Sequence, residues 1–481
     1  MLNAESVSSS GGNDNRVVRP ALATLIIATF LFGGASRADV ASLVVLRPIS
    51  AMLFVVALFV AFRAAWKRQW QPVALAAAVM LLTALHLIPL PPSLWASLPG
   101  REVIADAFAA IGKPIPWLPL SMAPLATWNA LFALLGPFAA LLFALALPDR
   151  DQPMMLKIIL AMGIFSGFVG LLQIIGPMNG PFYFYRITNY GTAVGLFANR
   201  NHQAIFLATL FPLLAAFAAM ADGPKDRIRL QRVLAISTGA FLVPLLLVTG
   251  SRAGLLLGFV GLLSCFWIYR PAAVVRTGTP DAARRRRLFF LLAGGLALLV
   301  LMTLLAARAS SFQRLVELDA AQDMRFRAFP VIWDLVLRYF PLGSGIGSFP
   351  EVYNIYEPRA LLTSSYLNHA HNDLLETAMI GGFPAILLIL VAALMAAAAT
   401  WRLARARLAV DRPVLDARGR AILLGRAGMV GLLILAIGSV ADYPLRAPSL
   451  AVILTIYVAF VVSGWQSGAT APRSWSGRSS K

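Results

Sequence analysis

The sequence has very little cysteine and very little charge. Its one cysteine, Cys265, lies inside an apolar run, so neither a disulfide framework nor a cluster of thiolate metal ligands can form within the chain. Charged residues make up 13% of the chain and hydrophobic residues 59%, a composition that no class of soluble globular protein has. The composition therefore predicts an all-α polytopic membrane protein.

Apolar runs long enough to cross a bilayer recur along the whole chain. A transmembrane helix needs about 20 predominantly apolar residues. Between charged or proline-rich breaks, the runs predict twelve spans, near residues 20–36, 42–62, 71–90, 123–147, 154–176, 202–221, 233–250, 253–269, 288–307, 373–400, 421–440 and 447–464. The first run ends in small residues that imitate a cleaved signal peptide, but we favour a retained helix.

These spans divide the chain into five segments. Residues 1–19 are predicted to be a disordered cytoplasmic N-terminus, and residues 20–307 to hold transmembrane helices 1 to 9. Residues 308–372 are predicted to form a large helical periplasmic loop, residues 373–464 to hold helices 10 to 12, and residues 465–481 to be a disordered cytoplasmic tail. A second outer segment, 91–122, is rich in proline and carries Trp95 and Trp117, which suits the membrane interface.

The basic residues define an orientation. Most of the 41 lysines and arginines fall in the segments on the same side as the N-terminus, and cytoplasmic loops are the ones that retain positive charge. This places the N-terminus in the cytoplasm and the large loop outside. The same asymmetry accounts for the net charge of +20, so the charge does not indicate a nucleic-acid partner.

Histidines and isolated arginines concentrate at the outer face in this topology. The histidines are His86, His202, His369 and His371, and the arginines are Arg200, Arg252, Arg325, Arg327 and Arg446. A single arginine at the end of a span commonly reaches a lipid headgroup. Five on the side that is poorer in positive charge favour an anionic ligand, and guanidinium groups suit a phosphate.

His371 is the strongest candidate for acid–base chemistry. A neutral imidazole near pH 7 is suited to accept a proton from a sugar hydroxyl. Two other interpretations remain open: a histidine that only caps the tenth span, and a metal site in which His369 and His371 are joined by Asp373 and Glu376. His-x-His without a third ligand at a suitable spacing is a weak zinc signal.

Two further motifs are interpreted as structural. Leu342–Ser348 is glycine-rich but lacks the lysine of a phosphate-binding P-loop, so we expect a tight turn that lets the loop approach the membrane. Asp149-Arg150-Asp151 matches the Asp-x-Asp pattern of nucleotide-sugar enzymes, but it lies in a short cytoplasmic loop with no accompanying domain, and we discount it.

Several of these segments together resemble the O-antigen ligases and the related O-antigen and exopolysaccharide polymerases. They occur in the order Gly195–His202, Thr249–Arg252, Pro341–Phe349, Asn368–Glu376 and Asp442–Arg446. Ala378 stands where the family usually has glycine, whereas Gly381 is kept. The resemblance covers residues 160–460 and implies about a dozen spans and one large periplasmic loop late in the chain.

The resemblance implies an enzyme of the bacterial inner membrane with its active site facing the periplasm. It would transfer a glycan from undecaprenyl diphosphate, without metal or cofactor and with inversion, to lipid A core or to a second lipid-linked glycan. His371 would be the base, and Arg252 with Arg325 or Arg327 would hold the diphosphate, to which the arginine pattern adds Arg200. We expect supporting roles for His369, Asn372, Asn199, Asn201 and Arg446.

Two other functions compete with this one. A twelve-span transporter or flippase would typically show internal repeats and ionisable residues near the membrane midplane. The sequence has no evident repeat, and its isolated charges lie at the outer ends of the spans. A polymerase of the peptidoglycan type would use a similar donor but would depend on an outer-face carboxylate.

Overall fold

The computed structural model describes residues 10–269, 320–362, 366–406 and 415–469, and this part of the chain is almost entirely helical. The helices are α1 Ser10–Phe32, α2 Leu43–Val60, α3 Phe62–Arg68, α4 Trp70–Leu85, α5 Pro92–Ala96, α6 Glu102–Ala110, α7 Pro124–Ala133, α8 Leu135–Ala146, α9 Pro153–Ile175, α10 Arg200–Ala219, α11 Lys225–Thr249, α12 Arg252–Ile268, α13 Ala320–Tyr339, α14 Phe349–Tyr356, α15 Asp373–Arg405, α16 Ala417–Ala441 and α17 Pro448–Ala469. Short 3₁₀ helices cover Asp149–Asp151, Arg359–Leu361 and Pro444–Arg446, and two strands, β1 Pro89–Leu90 and β2 Leu118–Pro119, pair antiparallel.

Eight helices in the described ranges are long and apolar enough to cross a membrane. They are Leu43–Val60, Pro124–Ala146, Asp149–Ile175, Arg200–Ala219, Lys225–Thr249, Asp373–Arg405, Ala417–Ala441 and Pro448–Gly468. Trp70–Leu85 and Arg252–Ile268 are apolar but shorter, and α1 overlaps the first predicted span. An all-α membrane protein is therefore confirmed. The predicted ninth span, 288–307, lies outside the described residues, so the total of twelve stays a prediction.

Helix α10 is the centre of the bundle. Nearly every one of its residues is buried, and it packs against α9, α11, α12 and α16. A helix that is apolar on all sides is stable only when neighbours surround it. Gly254 of α12 allows the closest approach, because a Cβ built on it would lie 2.2 Å from Cβ of Ala204 in α10. The two helices therefore start side by side.

Hydrogen bonds between connecting segments define the two ends of the bundle. At one end, Ala198 donates to the carbonyl of Gly34, and Ser449 donates to the carbonyl of Gly33. We call this the histidine end, because His86, His202, His369 and His371 all lie in or beside its segments. It gathers the starts of α10, α12, α15 and α17 and the end of α16.

The opposite end holds ion pairs. Arg68 pairs with Asp149, which also accepts a hydrogen bond from Ser463, and Arg19 pairs with Asp151. The Asp149-Arg150-Asp151 motif therefore joins α1 and α3 by ion pairs and α17 by a hydrogen bond. We call this the basic end, after Arg19 and Arg68.

The glycine-rich turn fastens the large loop to α15. Ser344 donates its backbone N–H to the carbonyl of Met379, and Gly345 donates to that of Ile380. Gly343 has φ +81°, and a Cβ built on it would lie 2.6 Å from the Ile380 oxygen, so only glycine fits. The turn meets α15 where the helix kinks at Gly382, whose φ is +57°. The expected tight turn is confirmed.

The proline-rich outer segment packs against the same loop. Trp95 is buried, and its Nε1 donates to the carbonyl of Pro119 at 2.9 Å. Arg101 is 1% exposed and lies between the rings of Trp95 and Tyr339, about 5.5 Å from each centroid. Trp95 is therefore packed inside the protein, whereas Trp117 is exposed. The position of this segment at the membrane interface stays a prediction.

Candidate active site

The site begins at the start of α15. Asn372 is the N-cap of this helix, and its side-chain oxygen accepts from the backbone N–H groups of Leu374 and Leu375. His371 precedes the cap with φ +52° and is the one residue other than glycine with positive φ in the described ranges. Such a backbone conformation costs free energy and persists where the surroundings fix it, often at functional sites. The cap and the strained residue together aim the imidazole out of the helix.

His371 is paired with a buried carboxylate. Its Nδ1 lies 3.1 Å from Oδ1 of Asp442, whose side chain is 1% exposed. Asp442 Oδ2 accepts from the side-chain amide of Asn201 at 2.6 Å and from that of Asn199 at 3.5 Å. The backbone N–H of Tyr443 donates to Oδ1 at 3.0 Å. These donors compensate the buried negative charge, so Asp442 can stay ionised beside the imidazole.

A second network holds the first turn of α15. Nδ1 of His369 lies 3.0 Å from Oε1 of Glu376, and the N–H of Ala370 donates to Oε2 at 2.9 Å. Arg446 reaches both carboxylates of this turn, with Nε 3.1 Å from Oδ1 of Asp373 and Nη2 3.3 Å from Oε1 of Glu376. The network therefore joins the turn before α17 to the start of α15.

The pKa of Arg446 reflects charge compensation by its neighbours. Burial alone lowers its pKa, but the carboxylates of Glu376 and Asp373 outweigh burial and raise it. Ser439 Oγ supplies a further donor to Asp373 at 3.0 Å. Because two carboxylates already balance its charge, Arg446 is a structural cation.

One tyrosine ring lies among three histidines. The centroid of Tyr443 is 4.5 Å from that of His369, 4.8 Å from that of His371 and 5.1 Å from that of His202. The ring of His202 meets it edge to face, with an angle of 90° between the planes. Tyr443 is 6% exposed, so its ring separates the three imidazoles in a packed environment.

The starts of α10 and α12 bring two arginines to the same end. Asn199 caps α10 by accepting from the N–H of Asn201, and Ser251 caps α12 by accepting from the N–H of Gly254. Gly250 ends α11 with φ +64°, and only Gly250 and Ser251 lie between α11 and α12. A Cβ built on Gly250 would lie 3.8 Å from Nη1 of Arg200, which places that guanidinium beside the turn before Arg252.

The arginines of the large loop lie on α13. Arg327 Nη2 donates to the carbonyl of Ala360 at 3.0 Å, an interaction within the loop. Arg325 is on the same helix, and its side chain is outside the described residues. The choice between the two therefore stays open.

Most predicted residues converge, but the key partner was not predicted. Around Asp442, Tyr443 and the first turn of α15, hydrogen bonds, ion pairs or ring contacts join five of them: Asn199, Asn201, His369, His371 and Arg446. Asn372 caps α15. The sequence motif contains Asp442 without indicating a role for it, and Glu376 entered only the alternative interpretation of a metal site. The sequence feature that could have pointed to this partner is an acidic residue, Asp442, followed by an aromatic one, Tyr443, in a short turn between apolar runs.

Metal coordination has no visible centre in the described ranges. There, no three His, Cys, Asp or Glu side chains converge so as to hold an ion. His369 and His371 each face a different carboxylate, Glu376 and Asp442 respectively.

The class that these observations define is a helical membrane protein with a polar site of histidine, carboxylate and arginine residues at one end of its bundle. The family model described as O-antigen ligase matches residues 238–390, a range that contains Arg252, Arg327 and His371. The match covers about one third of the chain and supports the resemblance to the O-antigen ligases. No curated protein matches the chain significantly.

Proposed function

We propose that the protein transfers a glycan from undecaprenyl diphosphate to an acceptor sugar hydroxyl, inverting the anomeric centre without a metal, at the periplasmic face of the inner membrane. The acceptor is lipid A core for a ligase, or a second lipid-linked glycan for a polymerase. The observation that carries the proposal is the contact between His371 and the buried Asp442, at the end of the bundle that also holds Arg200 and Arg252.

The pair supports a general-base role for His371. Because Asp442 is acceptor-only when ionised, Nδ1 carries the hydrogen and the lone pair of the neutral imidazole is on Nε2. The acceptor oxygen attacks C1 of the lipid-linked sugar while its proton passes to Nε2. The bond between C1 and the phosphate oxygen breaks, and the diphosphate leaves with the electron pair. Asp442 then stabilises the imidazolium.

The leaving group needs positive charge more than it needs a proton. Diphosphate is already a good leaving group, and preorganised donors aimed at its developing charge lower the barrier. Arg252 and Arg200 start two adjacent helices whose N-termini open at the same end, and helix N-termini favour anions. Arg325 or Arg327 would add a third guanidinium from the large loop.

Reconstitution tests the activity and separates the alternatives. The purified protein in proteoliposomes receives a defined undecaprenyl-diphosphate-linked repeat, first alone and then with lipid A core. Chain growth on the repeat alone identifies a polymerase, transfer only after addition of core identifies a ligase, and movement of the donor across the bilayer without transfer identifies a flippase.

Variants of His371 test the mechanism. His371→Ala should lower transfer at least about 100-fold, the contribution typical of a positioned base, and imidazole in the buffer should restore part of it. Full transfer by His371→Ala would contradict the mechanism and favour a carboxylate-dependent polymerase.

Arg252→Ala should lower kcat/KM for the donor roughly 10- to 100-fold, since a hydrogen bond to a charged group is worth about 1.5–3 kcal/mol. Arg325→Ala and Arg327→Ala, compared in the same assay, decide between the loop arginines.

Orientation is tested by labelling. In a Cys265→Ala background, one cysteine replaces Arg359, which is exposed in the large loop, and another replaces Asp226 at the basic end. A membrane-impermeant maleimide added to intact spheroplasts should label the first and spare the second. The reverse pattern would place the site in the cytosol and remove the proposal.

A further inference from the structure

A groove opens at the basic end, away from the site described above. It has a volume of about 500 Å³ and lies between the ends of α15 and α17. Its lining includes Trp401, Arg402, Arg405 and Trp465, and among the described residues no carboxylate lines it. The groove is therefore both cationic and aromatic.

Each arginine of the groove is stacked on a tryptophan. The guanidinium carbon of Arg405 lies 3.7 Å from the ring centroid of Trp401, and that of Arg402 lies 4.5 Å from the centroid of Trp465. A guanidinium over the face of an indole is attracted by the ring, and its N–H groups can still bind the oxygens of an anion. Both cations are thus oriented without being neutralised by the ring.

The backbone that carries these arginines is fixed. Arg426, which is buried in α16, donates to the carbonyls of Leu403 at 3.4 Å and Ala406 at 2.7 Å, so it caps the end of α15. The next helix is held equally closely, because a Cβ on Gly425 of α16 would lie 3.0 Å from Cα of Gly464 in α17. The groove is therefore rigid before any ligand binds.

We propose that this groove binds the phosphodiester headgroup of an anionic phospholipid. The two arginines favour an anionic ligand, because no described carboxylate in the lining balances their charge. The groove lies at the end of the apolar helix α15, which corresponds to the depth of the lipid headgroups. Trp401 is 63% exposed, and exposed tryptophan is typical of the membrane interface. The acyl chains would lie along the apolar face of α15, where Leu394 and Leu390 are exposed. This inference is independent of the glycan-transfer activity.

Native mass spectrometry and thermal unfolding of the detergent-solubilised full chain test the proposal. The probes are phosphatidylglycerol and cardiolipin, with phosphatidylcholine as the zwitterionic reference and inorganic phosphate as the soluble anion. We expect retention of the anionic lipids and a higher Tm in their presence. Arg402→Gln/Arg405→Gln should lower the apparent affinity for the anionic lipids about tenfold or more, because each arginine near an anionic headgroup adds its own share to the binding free energy.

A matched variant separates a built site from diffuse charge. Arg227→Gln/Arg229→Gln removes the same charge from α11, where both arginines are exposed at the same end, and should change the affinity less than about twofold. Both variants should keep the wild-type Tm in phosphatidylcholine, since the substituted side chains lie at the surface. Equal losses in the two variants, undiminished lipid retention by the groove variant, an equal Tm rise with inorganic phosphate, or a second copy of the chain in the groove would each overturn the proposal.

Discussion

Nδ1 of His371 lies 3.1 Å from Oδ1 of Asp442, although 71 residues separate them in the chain. The contact joins the start of α15 to the end of α16, and it depends on the two asparagines at the start of α10 that also bind Asp442. Three helices therefore define the position of one imidazole. Each residue that holds this imidazole in place can be changed by a single substitution.

Asp442→Asn should remove catalysis and preserve the shape of the site. The amide can still accept from His371, but it carries no charge to stabilise the imidazolium, so kcat should fall roughly 100-fold with little change in KM. Steady-state transfer by proteoliposomes measures this. Asp222→Asn, at an exposed position of the basic end, is the matched control and should retain wild-type kcat.

Tyr443 should act through its ring. Tyr443→Phe keeps the contacts with His369 and His371 and should retain activity within about threefold, whereas Tyr443→Leu should lower kcat about tenfold or more, since aromatic contacts contribute about 0.5–1.5 kcal/mol each. The pH profile of kcat should shift in the leucine variant, because the environment of the imidazoles changes. An unchanged profile and rate in Tyr443→Leu would contradict a positioning role.

Arg446→Met should destabilise the protein. The substitution leaves the carboxylates of Asp373 and Glu376 buried without their cation, at a cost of about 3 kcal/mol or more. Equilibrium unfolding in detergent is the measurement, with Arg359→Met at an exposed position of the large loop as the reference. A loss of activity with wild-type stability would instead indicate that Arg446 contacts the substrate.

The attachment of the outer loops should weaken in acid. Burial, together with the charge of Arg101, lowers the pKa of His86 to about 4, and its Nδ1 accepts from the N–H of Ile346 at 3.0 Å. Between the unfolded value of 6.5 and about 4, the unfolded chain binds a proton that the folded chain does not, so this contribution is complete above pH 6.5 and is lost as the pH falls. The loss would reach about 3 kcal/mol at 1.36 kcal/mol per unit.

His86→Asn tests this dependence. Asparagine can accept the same hydrogen bond but does not titrate, so the decrease in Tm between pH 7 and pH 4 should be smaller than in the wild type. Hydrogen exchange at the backbone N–H of Ile346 reports the same contact locally. Equal pH dependence in both proteins would show that another group titrates.

The elements that sequence reasoning located are those with local signals. The break at Thr249–Arg252 was recognisable because a glycine that can end a helix is followed by a serine that can cap the next one. His371 stood out because it is polar beside a long apolar run. Local sequence carries this information, and the eleven predicted spans within the described ranges all overlap helices.

The partners of these residues could not be found in the same way. Asp442 binds His371 only because α15 and α16 lie side by side, and the packing of helices is not encoded in any one segment. In sequence Glu376 is an oxygen ligand for the alternative metal site, whereas the fold supplies Arg446 from a distant turn to balance its charge. The composition of its segment suggested that Trp95 faces the membrane interface, whereas its side chain packs against Arg101 and the large loop and is buried.

The hydrogen bonds from Ser344 and Gly345 to the backbone of α15 have a mechanical consequence. The large loop and the residue proposed as the base are attached to opposite ends of one short stretch of helix, between Asn372 and the kink at Gly382. If the loop moves to admit the proposed glycan, the displacement therefore acts on that stretch. Entry of a bulky polymer and alignment of the imidazole are thereby coupled through two backbone contacts.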